Sequence, residues 1–189
     1  IWLGTVPGRG LFSFNVESGE TIQYLNLQGN ASHSLERGTP EEGQNAIFDN
    51  SEYGSFLLLA TWRGLWQFDK DLKVMSRPQC DPRDSVLLYH SSAYRFYHNT
   101  NDKSIWVLAY LEGMRVVLFK LREDLSIVRR FDFPQGFDFN QMDLDAEEVF
   151  WIATINGLYR YDPDDGSLTN LKHISGDPFS LGSDVVSAV

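Results

Sequence analysis

Trp62 and Arg63 stand side by side in Ala60-Thr61-Trp62-Arg63-Gly64, a stretch with the composition of a tight turn. An indole face beside a planar guanidinium is chemistry suited to stacking on a sugar ring and bonding its hydroxyls or an acidic substituent. Arg9 and Asn156 hold corresponding places in similar stretches, and these four residues form the candidate ligand-binding set. No catalytic set emerges, because there is no G-x-S-x-G, no H-E-x-x-H, no P-loop and no Ser, His and acid arrangement. Asp162, Asp164 and Asp165 before Gly166 invite a calcium site, but an EF-hand loop needs its Gly at the sixth position and a Glu at the twelfth, and here Gly is fifth. A hairpin turn is the expectation there. His33, His90, His98 and His173 share no metal-ligand spacing. A single cysteine, Cys80, permits neither an internal disulfide nor a Cys-based zinc site, so no metal and no cofactor is expected. Glu41-Glu42 and Glu147-Glu148 are adjacent pairs that face opposite sides of an extended chain, and they read as solvating charge.

The elements that must position these residues repeat along the chain. IWLGT (1 to 5) precedes GLFSF (10 to 14), LLLAT (57 to 61) precedes GLWQF (64 to 68), IWVLA (105 to 109) precedes MRVVLFKL (114 to 121), and FWIAT (150 to 154) precedes GLYRY (157 to 161). With Trp2, Leu58, Trp106 and Trp151 as equivalents the spacings are 56, 48 and 45 residues, the range of one propeller blade per repeat. Each unit holds a short apolar run, a short Gly-containing turn and a second run that alternates, the pattern of a β-hairpin. Third strands are expected at Thr21 to Leu27, Lys73 to Arg77, Ile127 to Phe131 and Leu168 to Ile174. Further strands are expected ahead of the Trp positions, at Ala46 to Asp49, Tyr94 to His98 and Phe139 to Asp143.

Four strands per unit predict an all-β protein, a β-propeller of four-stranded antiparallel blades, with about four blades here. The units are approximately 1–44, 45–92, 93–138 and 139–184, and 185–189 is expected to be the inner strand of the next blade. If that strand completed the first unit, the four blades would close into a ring without open edges; the alternative, favoured here, is a fragment of a larger ring. Labelling strands A to D from the channel outward, the candidate face carries the B-to-C turns and the long D-to-A loops near Gln28 to Gln44, Pro78 to Ser92, Phe133 to Asp138 and Ser175 to Ser183. The B-to-C turns are expected at Val6 to Arg9, Trp62-Arg63, Leu111-Glu112 and Ile155-Asn156. Trp2, Trp106 and Trp151 are expected to fill gaps between sheets. Thr5, Thr61 and Thr154 are expected to bond turn backbone.

Composition narrows the partners. A hydrophobic fraction of 42% supports a packed core, and a formal charge of −10 repels phosphate backbones and anionic bilayers, so neither nucleic acid nor direct membrane contact is expected. No apolar run approaches the length of a membrane span.

The unit from Phe150 to Val189 is similar to the repeat of two-component-regulator propellers. The Trp strand ending in Ala153-Thr154, the Asn156-Gly157 turn, the Leu158 to Asp162 strand, the Gly166 turn and the Gly176 to Leu181 loop match it in order. The first and second units repeat the first half of the pattern, whereas the third lacks the Thr and the Gly-Leu-aromatic turn. The resemblance implies a periplasmic, non-enzymatic ligand-sensing segment of a hybrid two-component sensor whose intact polypeptide carries histidine kinase activity in an inner-membrane protein. Its implied partners are an oligosaccharide, the remaining blades and sensor domains of the same polypeptide, and a second copy in a homodimer. A propeller lyase or glycosidase and a protein-interaction scaffold are the alternatives.

Overall fold

The computed structural model describes residues 1–4, 10–25, 47–72, 75–99, 101–137 and 139–189. The first sheet has three strands, β1 (Trp2–Gly4), β2 (Leu11–Phe14) and β3 (Thr21–Leu25), in the order β1-β2-β3. The second has four, β4 (Ile47–Tyr53), β5 (Phe56–Thr61), β6 (Gly64–Asp69) and β7 (Met75–Ser76). A short helix, α1 (Ser85–His90), then leads into β8 (Ser92–His98), β9 (Ile105–Leu111), β10 (Arg115–Leu121) and β11 (Ile127–Asp132), the third sheet. The fourth is β12 (Gln141–Leu144), β13 (Phe150–Thr154), β14 (Gly157–Asp162) and β15 (Ser167–Leu171). Every sheet is an antiparallel meander in sequence order, so the chain is a row of propeller blades.

The period of two explains how one sequence buries both faces of its middle blades. Along β9, Ile105, Val107 and Ala109 enter a core shared with Leu58, Ala60 and Leu65 of the second blade. Their neighbours Trp106 and Leu108 enter a core shared with Met142, Phe150, Ile152 and Tyr161 of the fourth. In β5, Leu57 and Leu59 join Leu11, Ile47, Trp66 and Phe68 between the first and second blades. A strand buried on both sides must be apolar at every position, which is why these runs are continuous rather than alternating. Among the described residues, packing between sheets runs from β1 to β4, from β4 and β5 to β8, and from β8 to β12.

The Trp positions divide. Trp106 is fully buried between blades. Trp2 packs on Tyr24 and Phe68 at ring-centroid distances of 5.1 and 5.9 Å. Trp151 lies on the opposite face of the fourth sheet, half-buried, with Nε1 donating to Asp145 Oδ2 at 2.7 Å.

Three expectations change. The loop expected from Pro78 to Ser92 contains α1, whose Leu87 and Leu88 are buried against β6 and the core shared by the second and third blades. Leu111 remains in β9, paired with Arg115, so the third blade turns through Glu112 to Met114, with left-handed backbone at Gly113 (φ 75°) and Met114 (φ 59°). Residues 185–189 carry no strand. They run along the fourth blade instead, with Val186 N donating to Thr154 O at 2.9 Å and Gln141 Nε2 to Val189 O at 3.1 Å. Thr5, Arg9 and the Gln28 to Gln44 loop lie outside the described residues.

Candidate ligand-binding face at the B-to-C turns

The turns of the second and fourth blades are built alike from the sequence pattern T-x-x-G. Thr61 Oγ1 donates to Gly64 O at 2.8 Å and accepts from Arg63 N at 3.1 Å. Thr154 Oγ1 donates to Gly157 O at 2.8 Å and accepts from Asn156 N at 3.0 Å. Both threonines are buried, so the hydroxyl closes the turn from beneath. The glycine is required twice over. Gly64 has φ 80° and Gly157 φ 114°, and a Cβ at Gly64 would lie 2.3 Å from Leu88 O of α1.

Strand D then braces each turn from outside. Arg77 Nη1 donates to Arg63 O at 2.6 Å and to Leu65 O at 3.0 Å, while its guanidinium lies 3.9 Å over the centroid of Trp66 and 5.3 Å from that of Tyr89. In the fourth blade Asn170 Nδ2 donates to Asn156 O at 3.1 Å, and Lys172 Nζ to Asn156 Oδ1 at 2.6 Å. Burial raises the Tyr89 hydroxyl to about 12, helped by the adjoining Cys80 thiol. Tyr89 therefore stays neutral and donates to Pro78 O at 2.5 Å, tying α1 to the end of the same strand.

Trp62 presents 51% of its surface to solvent, and its carbonyl accepts from Ser92 Oγ at 3.1 Å across the blade boundary. Arg63 is half-buried beside it. Asn156 is exposed, but its amide oxygen is occupied by Lys172. The third blade lies between the blade of the Trp62-Arg63 turn and that of Asn156, so the described candidates sit on two separate blades, and Arg9 lies outside the described residues.

Between them lies an aromatic row that sequence reasoning missed. Tyr94 packs edge-on to Tyr110 at 6.0 Å, and Tyr110 stacks on Phe139 at 6.2 Å and 15°. Tyr94 is 42% exposed because a register shift between Ala93 and Arg95 turns it out of the ladder. The one sequence signal was an aromatic residue opening a predicted inner strand. A face with exposed indole and phenol rings and braced backbone can stack against a flat apolar surface and donate hydrogen bonds around it. Among the described residues, no group of three or more His, Cys, Asp or Glu side chains is placed to hold a metal, and no helix is long and apolar enough to cross a membrane.

No family model matches the chain, and no curated protein matches it. Solved structures do. A protein of unknown function from Bacteroides caccae is 13% identical with a TM-score of 0.57, over 94% of this chain and 58% of the other. A streptogramin B lyase is 15% identical with a TM-score of 0.52, over 93% and 51%. The WD40 domain of Toxoplasma gondii coronin is 12% identical with a TM-score of 0.50, over 89% and 41%. These likenesses place the chain among propeller folds. The chain spans less than three fifths of each of these structures.

Proposed function

We propose that this chain is part of the extracytoplasmic propeller of a hybrid two-component sensor, periplasmic in location, binding an oligosaccharide on the face of its B-to-C turns and signalling to a cytoplasmic histidine kinase. The observation that carries this reading is Trp62, an indole half exposed on a turn whose backbone is fixed by Thr61, Gly64 and Arg77. The repeat's resemblance to two-component-regulator propellers supplies the biological setting. A fixed aromatic side chain loses little freedom when a sugar stacks on it, which favours affinity over a mobile one. The remaining blades of the same polypeptide, and a second copy in a dimer, are the protein partners of this reading.

Thermal melting across a panel of neutral and acidic oligosaccharides tests it. A ligand at 100 times its dissociation constant adds about 2.7 kcal/mol, a shift of several degrees. The expected result is a shift with one glycan, lost in Trp62→Ala, without release of new sugar ends. Sugar cleavage would replace the sensor with a lyase or glycosidase. Silence across the panel, together with capture of a protein partner by the same face, would replace it with a scaffold.

A further inference from the structure

The opposite rim of the blades, where the A-to-B turns emerge, holds a cleft unrelated to the face described above. Its volume is about 650 Å³, within the range of small-molecule sites. Phe56 and Ile105 give it an apolar wall, and Lys103, Glu123 and Asn99 line the same space.

These three polar residues stand in an unusual state. Asn99 is 3% exposed, and its Oδ1 accepts from Asn101 N at 2.8 Å and from Asp102 N at 3.4 Å. Two backbone donors therefore fix which way the amide points, and Nδ2 is left as the remaining donor. It is buried with no hydrogen-bond partner, a state that native proteins rarely leave without a use. Lys103 and Glu123 carry opposite charges into one cleft, yet no ion pair joins them or engages either with another described residue. Lys103 is moreover held in left-handed backbone, at φ 58°, a conformation that costs energy for a side-chain-bearing residue and clusters at functional sites. Nearby charges are already committed: Glu52 accepts from Trp2 Nε1 at 3.1 Å and meets Lys70 at 3.9 Å, and Lys120 is held by Asp102 at 2.8 Å.

A cleft in which, among the described residues, Lys103 and Glu123 have no ion-pair partner, with a spare amide donor, the His98 imidazole and an aromatic wall beside them, complements a small molecule that is itself a zwitterion with an apolar end. We infer that this cleft binds a free α-amino acid with an apolar side chain. Lys103 and the Asn99 amide take its carboxylate, Glu123 takes its ammonium, and Phe56 with Ile105 covers its side chain. A neutral sugar would leave the two charges uncompensated, and a simple anion would meet Glu123 unfavourably.

Titration calorimetry of the 189-residue chain with L-leucine and L-phenylalanine tests the assignment, with N-acetyl-L-phenylalanine and L-phenylalanine methyl ester as partners that each lack one charge. The expected result is saturable binding of at least one free amino acid, weakened at least about tenfold in both blocked analogues. Lys103→Ala and Glu123→Gln are expected to abolish it while leaving the melting temperature of the unliganded chain in place, since both side chains are exposed. Absence of heat with both amino acids, equal binding of the blocked analogues, or unchanged binding in the two variants would overturn the inference. Trp62→Ala serves as the control on the other face and is expected to bind the amino acid normally, so the two sites stand or fall separately.

Discussion

Thr154 does two jobs with one hydroxyl, and its loss is measurable. Replacing it by valine keeps the shape and removes both the bond to Gly157 O and the acceptor for Asn156 N, at a net cost of about 1–3 kcal/mol in urea unfolding. Gly64→Ala places a methyl into α1 at an already left-handed position, whereas Gly19→Ala, at φ 71°, meets open space. The expectation is about 1 kcal/mol for Gly19 and clearly more for Gly64, accompanied by loosening of α1 visible in amide exchange. Asp102 offers a pH test. Burial pushes its carboxyl up, but hydrogen bonds from Lys120 and Ser104 outweigh that and hold it at about 2. A lowered folded value means that the stabilisation is present above the unfolded value near 3.9 and fades as pH falls through about 2. Asp102→Asn is therefore expected to flatten the loss of stability between about pH 5 and pH 2, modestly, because half of the side chain faces water. The threonine, glycine and turn residues were legible in the sequence as a repeated pattern. The Asn99 amide was not, since its unsatisfied state depends on where two neighbouring backbone groups point.

Strands and helix differ in how much they revealed of themselves. The apolar runs in β5, β9 and β13 announced strands because each is short and ends at a turn, and those in β9 and β13 are rich in β-branched and aromatic residues. Their burial on two faces also fixes the cost of truncation: Leu118→Ala removes a fully buried side chain between two blades and is expected to lower stability by about 2–5 kcal/mol. Phe179→Ala, at 97% exposure, is expected to change it by less than about 0.5 kcal/mol in the same measurement. The helix α1 hid in a loop because six residues are too few to show a helical period, and because it forms only where β6 and Gly64 give Leu87 and Leu88 something to cover. The aromatic row escaped for a related reason: a bulge in β8 decides that Tyr94 points outward, and a single-residue register shift leaves no trace in hydrophobic patterning.

At the scale of the molecule, four blades that, among the described residues, pack chiefly on their sequence neighbours make a row whose two outer sheet faces are chemically unlike its interior. Leu3 is 45% exposed on one outer face, and on the other Trp151 and Leu158 line a small groove of about 290 Å³ with Asp143 and Asp145. Contacts between blades are local, so stability should accumulate blade by blade. Leu118→Ala is accordingly expected to deprotect amides of the third and fourth blades more than those of the first, a gradient readable by hydrogen exchange. The repeat spacing made the blade architecture legible before any coordinates, but spacing is blind to the angle between sheets. Which turns share a face, and which clefts open between blades, follows from packing alone.

The braced turn has one last consequence. Thr61, Gly64 and Arg77 hold the backbone of the Trp62-Arg63 turn through a hydroxyl, a carbonyl and a guanidinium, and Thr154, Gly157 and Asn170 hold that of the fourth blade through a hydroxyl, a carbonyl and an amide. These bonds all fall on turn backbone and not on the side chains at the tip. Ile155 and Asn156 already occupy the places that Trp62 and Arg63 occupy two blades earlier, on the same frame. Mutation can therefore rewrite the chemistry of this surface one blade at a time, without passing through an unfolded ancestor.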